Sequence, residues 1–298
     1  MMRRILIGLT LVGMVAVAPA SQAKLACGPN TAFENDDVRV WFQGFKGHVK
    51  VFDKADEGNG NDGVYSFKTA AITEYDGETA VGAMNLERAF PQSTSECTVE
   101  VETAENENGE QQEIGQVITW ALSGDVRAVD GEGDGEGDGE GGIVGQALVT
   151  MKWHFSNEDN GTKFDLFVND WPWQTEEGQE SENELAFAFD LTSSGGFEEA
   201  ENGIGVQNNE GEPAGHVSWD SEFEVKYEDD SEQMGVVDAS SEVEENNASV
   251  ELRFTGVDDE YVELIYDPWL GIGTYIMLGP IMIADSTINS LLDLGLKL

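Results

Sequence analysis

The stretch that decides the fold is residues 149–168, VTMKWHFSNEDNGTKFDLFV. On both sides of its polar centre, apolar and polar side chains alternate with a period of two, which is typical of β-strands that bury one face. The alternation recurs in the following runs: Val38, Val40 and Phe42; Val49 and Val51; Ile118, Trp120 and Leu122; Leu185, Phe187, Phe189 and Leu191; Phe223, Val225 and Tyr227; Val250, Leu252 and Phe254; Val262, Leu264 and Tyr266. One apolar face and one wet face indicate antiparallel sheet. We therefore predict an all-β fold, an antiparallel β-sandwich with long acidic loops.

The N-terminus is organised like a secretory signal. Arg3 and Arg4 precede an apolar run from Ile5 to Val17, and Ser21-Gln22-Ala23 is a cleavage site of the small-residue type. The apolar run is shorter than the roughly 20 residues that a membrane span needs. We predict a signal peptide over residues 1–23 and a secreted, extracellular protein.

The C-terminal segment differs in composition from the acidic β-sandwich domain, which we place over residues 24–267. Residues 268–298 are mostly apolar, yet their glycines, Pro280 and Asp285 oppose a membrane helix. Three interpretations stay open: folded strands with a terminal element, the signal for a glycolipid anchor, or a membrane-associated segment. The first is favoured, and only the other two would attach the protein to a membrane.

Two cysteines and two sequons carry predictions of covalent modification. Cys27 and Cys97 are the two cysteines of the chain, and in an exported protein an even pair predicts one disulfide bond. Asn160 and Asn247 each begin an Asn-X-Ser/Thr sequence, so both are candidate glycosylation sites of a eukaryotic glycoprotein.

The charge is the most unusual feature of the composition. Asp and Glu number 59 against 15 Lys and Arg, for a formal net charge of −44. The acid lies mainly in these predicted loop clusters: Glu57 to Asp62, Glu96 to Glu113, Asp125 to Glu140, Glu176 to Glu184, Glu228 to Glu232, and Glu242 to Glu245. Such a charge repels phosphate and excludes nucleic acid as a partner. A secreted protein of this kind works among cations.

One acidic loop is a candidate calcium-binding segment. Six carboxylates alternate with glycine in it: Asp130, Glu132, Asp134, Glu136, Asp138 and Glu140. Calcium prefers six to eight oxygen ligands, which flexible carboxylates can supply. The spacing does not fit an EF-hand, since Gly141 stands where the twelfth-position Glu belongs. We predict weak, collective calcium binding and no dedicated metal site, with a purely solvated loop as the alternative.

Catalysis finds little support in the sequence. Nucleophile elbows, H-E-x-x-H, phosphate-cradling loops and dinucleotide fingerprints are all missing. We predict no enzymatic activity and no required cofactor, with Ca²⁺ as an optional ligand. Trp171 and Trp173 could stack on sugar rings or anchor a partner. Pro172 between them cannot continue a strand inside a sheet, which favours packing of both rings at one end of the sandwich.

Four segments carry a resemblance to a known family: Val38–Phe42, Lys163–Trp173, Leu185–Leu191 and Leu264–Pro268. With the acidic, secreted character of the chain, they resemble the acidic skeletal organic matrix proteins of reef-building corals, the coral acid-rich proteins. The resemblance implies a component of a calcifying matrix, with calcium ions or carbonate mineral and other matrix proteins as partners. It brings no catalytic residues. The long aspartate runs of the best-known members are replaced here by the Gly-interspersed residues 130–140.

These observations lead to one main hypothesis and two alternatives. The main hypothesis is a secreted acidic structural protein of a calcified extracellular (skeletal) organic matrix, which binds calcium or carbonate mineral weakly and collectively through loop carboxylates. The first alternative is a surface protein of a halophilic microbe, whose acidity serves only solubility in concentrated salt. The second is a carbohydrate- or protein-binding module that uses Trp171 and Trp173.

Overall fold

The structure is a computed structural model of the chain. It describes residues 25–26, 31–43, 47–54, 64–87, 96–105, 109–129, 141–157, 161–174, 183–229, 231–255, 257, 261–273, 275–278 and 281–284. The predicted signal peptide, Cys27, Asn160 and the acidic loop over residues 130–140 lie outside the described residues.

The described residues form β-strands, which confirms the all-β prediction. The strands are β1 (Leu25–Ala26), β2 (Thr31–Glu34), β3 (Val38–Gln43), β4 (His48–Asp53), β5 (Tyr65–Asp76), β6 (Thr79–Asn85), β7 (Glu96–Glu105), β8 (Gln111–Ala128), β9 (Ile143–Ser156), β10 (Gly161–Asn169), β11 (Glu184–Ser193), β12 (Phe197–Ala200), β13 (Gly203–Gln207), β14 (Pro213–Ser218), β15 (Glu222–Tyr227), β16 (Glu232–Glu244), β17 (Asn247–Thr255), β18 (Tyr261–Tyr266), β19 (Trp269–Ile272), β20 (Tyr275–Leu278) and β21 (Ile281–Ala284). In this part of the chain, no helix is long and apolar enough to cross a membrane.

Ten strands close into an antiparallel barrel. Their order around the barrel is β5, β11, β17, β16, β15, β18, β10, β9, β8 and β6, and β6 pairs back with β5. Two strands bridge parts of the sheet that are distant in sequence and so close the barrel. Strand β18 pairs with both β10 and β15, and β6 pairs with both β5 and β8. A sandwich would keep two separate sheets, so the architecture is a closed barrel with outer strands and not clearly the predicted sandwich.

The outer strands branch from the barrel where a long strand exchanges one neighbour for another. Strand β5 pairs with β4 through residues 65–68 and with β6 through residues 71–76. In the same way β10 pairs first with β19 and then with β18, and β8 pairs first with β7 and then with β6. Three branches result: β4–β3–β2, β19–β14–β13–β12, and β7–β1.

Aromatic side chains fill the space between the barrel wall and the β2–β4 branch. Trp153 stacks on Phe164 with ring centroids 4.6 Å apart, and Phe42 meets Trp153 edge-on at 5.5 Å. Phe33 of the branch stacks on Phe155 at 4.6 Å. Edge-on and stacked pairs of this kind stabilise a core beyond their area of burial. The branch is therefore part of the same hydrophobic core as the barrel.

The apolar C-terminal segment contributes three strands up to Ala284. Strand β19 pairs with β10 and β14 in the main sheet, and β20 and β21 form a separate two-stranded sheet. The ring of Tyr275 lies directly over Gly205 of β13, where a Cβ atom would overlap it. The second sheet therefore packs on the outside of the β12–β14 branch, and residues 285–298 lie outside the described residues.

The predicted acidic loop over Glu96–Glu113 is wrong for most of its length. Glu96–Glu105 forms β7, and β8 begins at Gln111. Strand β7 lies beside β8 on one side, and among the described residues its other side pairs with the two-residue β1 alone. Strand β7 lies near the edge of the sheet, where charged side chains are common. One face of β7 can therefore carry acid, while Val99 on the opposite face packs against the core.

The packing of the β2–β4 branch leads to a stability prediction for neighbouring residues of β3. Phe42 is fully buried against the rings of Trp120, Trp153 and Phe155. We expect Phe42→Ala to lower the free energy of unfolding by about 3–5 kcal/mol, because it leaves a cavity in the core. Urea denaturation followed by fluorescence measures this loss. The matched control is Trp41→Ala, whose side chain points to the opposite face. An equal loss in the control would contradict the assigned facing of β3.

Candidate functional site

Among the described residues, almost all carboxylates lie on the outside of the barrel and its branches. Glu74 is the one acidic residue among the buried side chains of the described part of the chain. The remaining described Asp and Glu side chains are exposed or partly exposed, because burying an unpaired charge is costly. Many of them lie on strands as well as in turns, for example Glu222 on β15 and Glu242 on β16. We call this set of outward-facing carboxylates the acidic exterior.

At one point of the acidic exterior, a single arginine lies close to several carboxylates. Arg253 lies 3.7 Å from carboxylate oxygens of Glu78, Glu184 and Glu251. Burial raises the pKa of Glu184, and repulsion by Asp238 and Glu78 adds to this rise, while Arg253 opposes it. A single guanidinium therefore does not neutralise the cluster. At this point of the acidic exterior, three carboxylates share one base.

The described residues contain no group of three or more His, Cys, Asp or Glu that is arranged to hold a metal ion. The six predicted calcium ligands at positions 130–140 lie outside these residues. The chain on either side of them is described: β8 ends at Ala128, β9 begins at Ile143, and the two strands pair from Arg127 opposite Ile143 onwards. The predicted calcium-binding segment therefore connects two neighbouring strands of the barrel.

The two tryptophans that flank Pro172 face the protein interior. Trp171 is only 5% exposed, and the half-buried Trp173 meets Tyr261 edge-on at 5.8 Å. Trp171 belongs to the hydrophobic core, and Trp173 packs against it. This geometry agrees with the packing interpretation and gives no support to a binding module built on these two residues.

Trp171 leads to a polar site that sequence reasoning missed. The side chain of Glu74 is fully buried, and its carboxylate accepts three hydrogen bonds. Trp171 Nε1 donates to Oε2 at 3.0 Å, while the Gln174 backbone N–H and Asn183 Nδ2 each donate to Oε1 at 2.7 Å. All three donors are neutral. The carboxylate therefore holds the segment after β10 and the start of β11 against β5, and donors replace the counter-ion.

The Glu74 site predicts a loss of stability on an isosteric change. In Glu74→Gln one acceptor oxygen is replaced by an NH₂ group, so at least one of the three donors faces another donor. We expect a loss of about 1–3 kcal/mol of unfolding free energy, the usual cost of an unsatisfied buried group. Chemical denaturation with Trp fluorescence measures it. Glu242→Gln, an exposed change of the same chemistry, should cost little, and equal losses in both variants would show that the three hydrogen bonds do not stabilise the fold.

His216 is the second buried titratable side chain. It lies on β14, is 2% exposed, and neither ring nitrogen has a hydrogen-bond partner among the described residues. Its ring packs over Gly271 of β19, where a Cβ atom would be too close to the imidazole. Burial lowers the pKa of His216 to about 4. The imidazole is therefore neutral at physiological pH and serves as packing.

The lowered pKa of His216 predicts acid destabilisation in a defined window. The ordinary pKa of about 6.5 applies to the unfolded chain, whereas the folded value is about 4. Between these values the unfolded state binds a proton that the folded state does not, so stability falls as pH falls, by about 1.4 kcal/mol per pH unit. We expect His216→Leu to remove that slope in unfolding experiments between about pH 6 and 5. An unchanged slope would mean that His216 takes up its proton without unfolding.

A third group of titratable side chains lies on the outer face of β9 and β10. His154 Nε2 is 2.8 Å from Asp165 Oδ2, and Lys163 Nζ is 2.6 Å from Asp267 and 3.5 Å from Asp165. Partial burial alone would raise the pKa of Asp165, but His154 and Lys163 outweigh it and hold the pKa below the ordinary value. In the described residues no hydroxyl or thiol is hydrogen bonded to the ring of His154. Lys163 therefore forms ion pairs with Asp165 and Asp267, and His154 is hydrogen bonded to Asp165.

The remaining predicted positions are only partly covered. Cys97 on β7 is disulfide-bonded, and its predicted partner, Cys27, lies outside the described residues. Strand β1 pairs with β7, with Ala26 opposite Thr98. Asn247 is exposed where the β16–β17 turn enters β17, a position open to a glycan. Glycosylation of both sequons stays a prediction.

Comparison with known proteins adds no relative. No model of a known protein family matches this chain, and a search of curated proteins finds no match to it. The functional argument therefore rests on its own residues and geometry.

Proposed function

We propose that this protein is a secreted, acidic structural component of a calcified extracellular matrix, which binds calcium or carbonate mineral weakly and collectively. The observation that supports the proposal is the separation of the charged exterior from the uncharged core in the described residues. A neutral, aromatic-rich core holds the fold together, and every described acidic residue except Glu74 lies outside it.

The physical argument starts from the net charge of −44. Like charges on one surface repel each other and raise the free energy of the compact state. Cations that gather near the acidic exterior relieve this repulsion, and divalent ions do so most effectively per particle. Extracellular modules bind calcium through oxygen ligands with a Kd of about 10⁻⁴–10⁻³ M. That affinity is sufficient wherever calcium is abundant, as it is beside a mineral.

The loop between β8 and β9 is the proposed centre of calcium binding. Six carboxylates alternate with glycine within residues 130–140, and this alternation lets the carboxylates adapt to an ion or a mineral surface. Strands β8 and β9 hold the two ends of the loop beside each other. The barrel would thus present the loop as a tethered acidic segment.

The proposal predicts that calcium stabilises the protein more than monovalent salt does. We expect about 10 mM calcium chloride to raise the free energy of unfolding by about 1.4 kcal/mol for each site with a Kd near 1 mM, by ligand linkage. The measurement is thermal unfolding at fixed ionic strength, with calcium chloride exchanged for potassium chloride, together with titration calorimetry.

A matched pair of variants locates the binding. One variant replaces the six carboxylates at positions 130–140 by amides, and the control makes six such changes on strands: Glu222, Glu224, Asp238, Glu242, Glu244 and Glu251. Calcium uptake should fall more in the loop variant. Stabilisation by molar potassium chloride without measurable calcium uptake would instead support a halophilic protein whose acid serves solubility.

A further inference from the structure

Strand β16 places two large apolar side chains in the midst of the acidic exterior. Met234 is 58% exposed and Val236 is 55% exposed. They lie two residues apart and therefore project from the same face of the strand. Exposed apolar side chains that lie together, within a polar surround, are typical of a surface that contacts a partner.

The register of the neighbouring strands sets carboxylates directly beside these apolar groups. Met234 is opposite Glu224 and Val236 is opposite Glu222 on β15. On the far side of β15, Ile265 of β18 is opposite Glu224. Across this part of the barrel wall, apolar and acidic side chains thus alternate from strand to strand on one outward face.

A groove of about 340 Å³ follows this row of side chains. Its apolar lining includes Phe223, Met234 and Ile265, and its carboxylates are Asp220, Glu222, Glu224 and Asp267. Val236 does not line the groove but flanks it, opposite Glu222. We call this groove the β15 groove. Two of its acids have a base nearby: Lys226 Nζ lies 3.5 Å from Glu224, and Lys163 Nζ lies 2.6 Å from Asp267. Glu222 is exposed and has no ion pair with any described residue.

We propose that the β15 groove binds a basic, amphipathic polypeptide segment of a partner protein. The charge of the groove selects this occupant. A second copy of the chain would bring carboxylates against carboxylates, and an anionic lipid surface would be repelled in the same way. A purely apolar segment would bury the carboxylates of Glu222 and Glu224, and Glu222 forms no ion pair with a described residue, so its burial would be costly. Lysine or arginine in the partner satisfies these carboxylates while its apolar side chains cover Met234, Val236 and Ile265.

The test uses two synthetic peptides of equal charge. The first repeats Lys-Ser-Val-Ser twice, so that an extended chain presents lysine and valine on one face. The second repeats Lys-Ser-Ser-Ser twice and lacks the apolar groups. Binding to the full mature protein is measured by fluorescence anisotropy in about 0.5 M sodium chloride, where charges are screened beyond a few Å. A chelator is present throughout, so that failure here is distinguishable from failure of calcium binding. We expect the valine peptide to bind more tightly.

Matched variants assign the binding to the β15 groove. Met234→Ser with Val236→Ser should weaken binding of the valine peptide at least about tenfold, which corresponds to about 1.4 kcal/mol. The control is Ile143→Ser with Val144→Ser, an exposed apolar pair on β9, and it should change binding less than about twofold. Glu222→Gln with Glu224→Gln should also weaken binding, whereas Glu242→Gln with Glu244→Gln should not. Thermal unfolding of each variant confirms that it is folded.

Several outcomes would overturn the inference. Equal affinity for the two peptides, or equal loss in the β16 and β9 variants, would reduce binding to general attraction by the acidic exterior. Loss of a dimer in sedimentation of the Met234→Ser, Val236→Ser variant would make a second copy the occupant. Tighter peptide binding after deletion of residues 285–298 would make the chain's own C-terminal segment the occupant.

Discussion

The aromatic core of the barrel is the feature on which the rest of the structure depends. With a net charge of −44, the acidic side chains repel each other and destabilise the compact state. Burial of apolar surface opposes that repulsion. Each large apolar side chain that is fully buried contributes about 1.5–3 kcal/mol. Trp153 contacts Phe42, Phe67 and Phe164 in one cluster. Because successive side chains of a strand point to opposite faces, the strands that build this cluster also carry acid outwards.

Glu74 and His216, two of the buried polar side chains of the described residues, show what burial costs in each case. Glu74 is surrounded by three donors, so its oxygens lose water without losing hydrogen bonds. His216 has no such donors or acceptors among the described residues, and it is kept in its neutral form by a lowered pKa. Glu74 is thus buried together with three hydrogen-bond donors, whereas His216 is buried without its charge.

The strands could largely be predicted from the sequence, because alternation reports which side chains share a face. The run from Val149 to Phe155 and that from Phe164 to Val168 are indeed neighbouring antiparallel strands. Closure of the barrel could not be predicted, since it depends on β18 pairing with two strands far away in sequence. Strand β7 was mistaken for a loop because its glutamates obscured the alternation of Val99 and Val101.

The same limit applies to the candidate sites. Glu74 is in phase with the buried Ile72, and that phase was the signal in the sequence for a buried carboxylate. The β15 groove had no comparable signal, because it depends on the strand register that sets Glu224 and Glu222 opposite Met234 and Val236. Composition alone therefore finds the acid of this protein, but only strand pairing shows where the acid meets apolar surface.

The acidic exterior and the β15 groove use the same carboxylates in different ways. A cation that condenses near Glu222 and Glu224 lowers their attraction for a basic partner, because both compete for the same charge. The cation does not change the free energy gained by covering Met234, whose apolar surface stays exposed to water. An apolar contribution from a partner persists under salt and calcium conditions that screen the rest of the surface. In a calcium-rich medium the groove would therefore still favour partners with apolar side chains, whereas the rest of the acidic exterior would bind basic partners more weakly. The apolar side chains of β16 account for this difference.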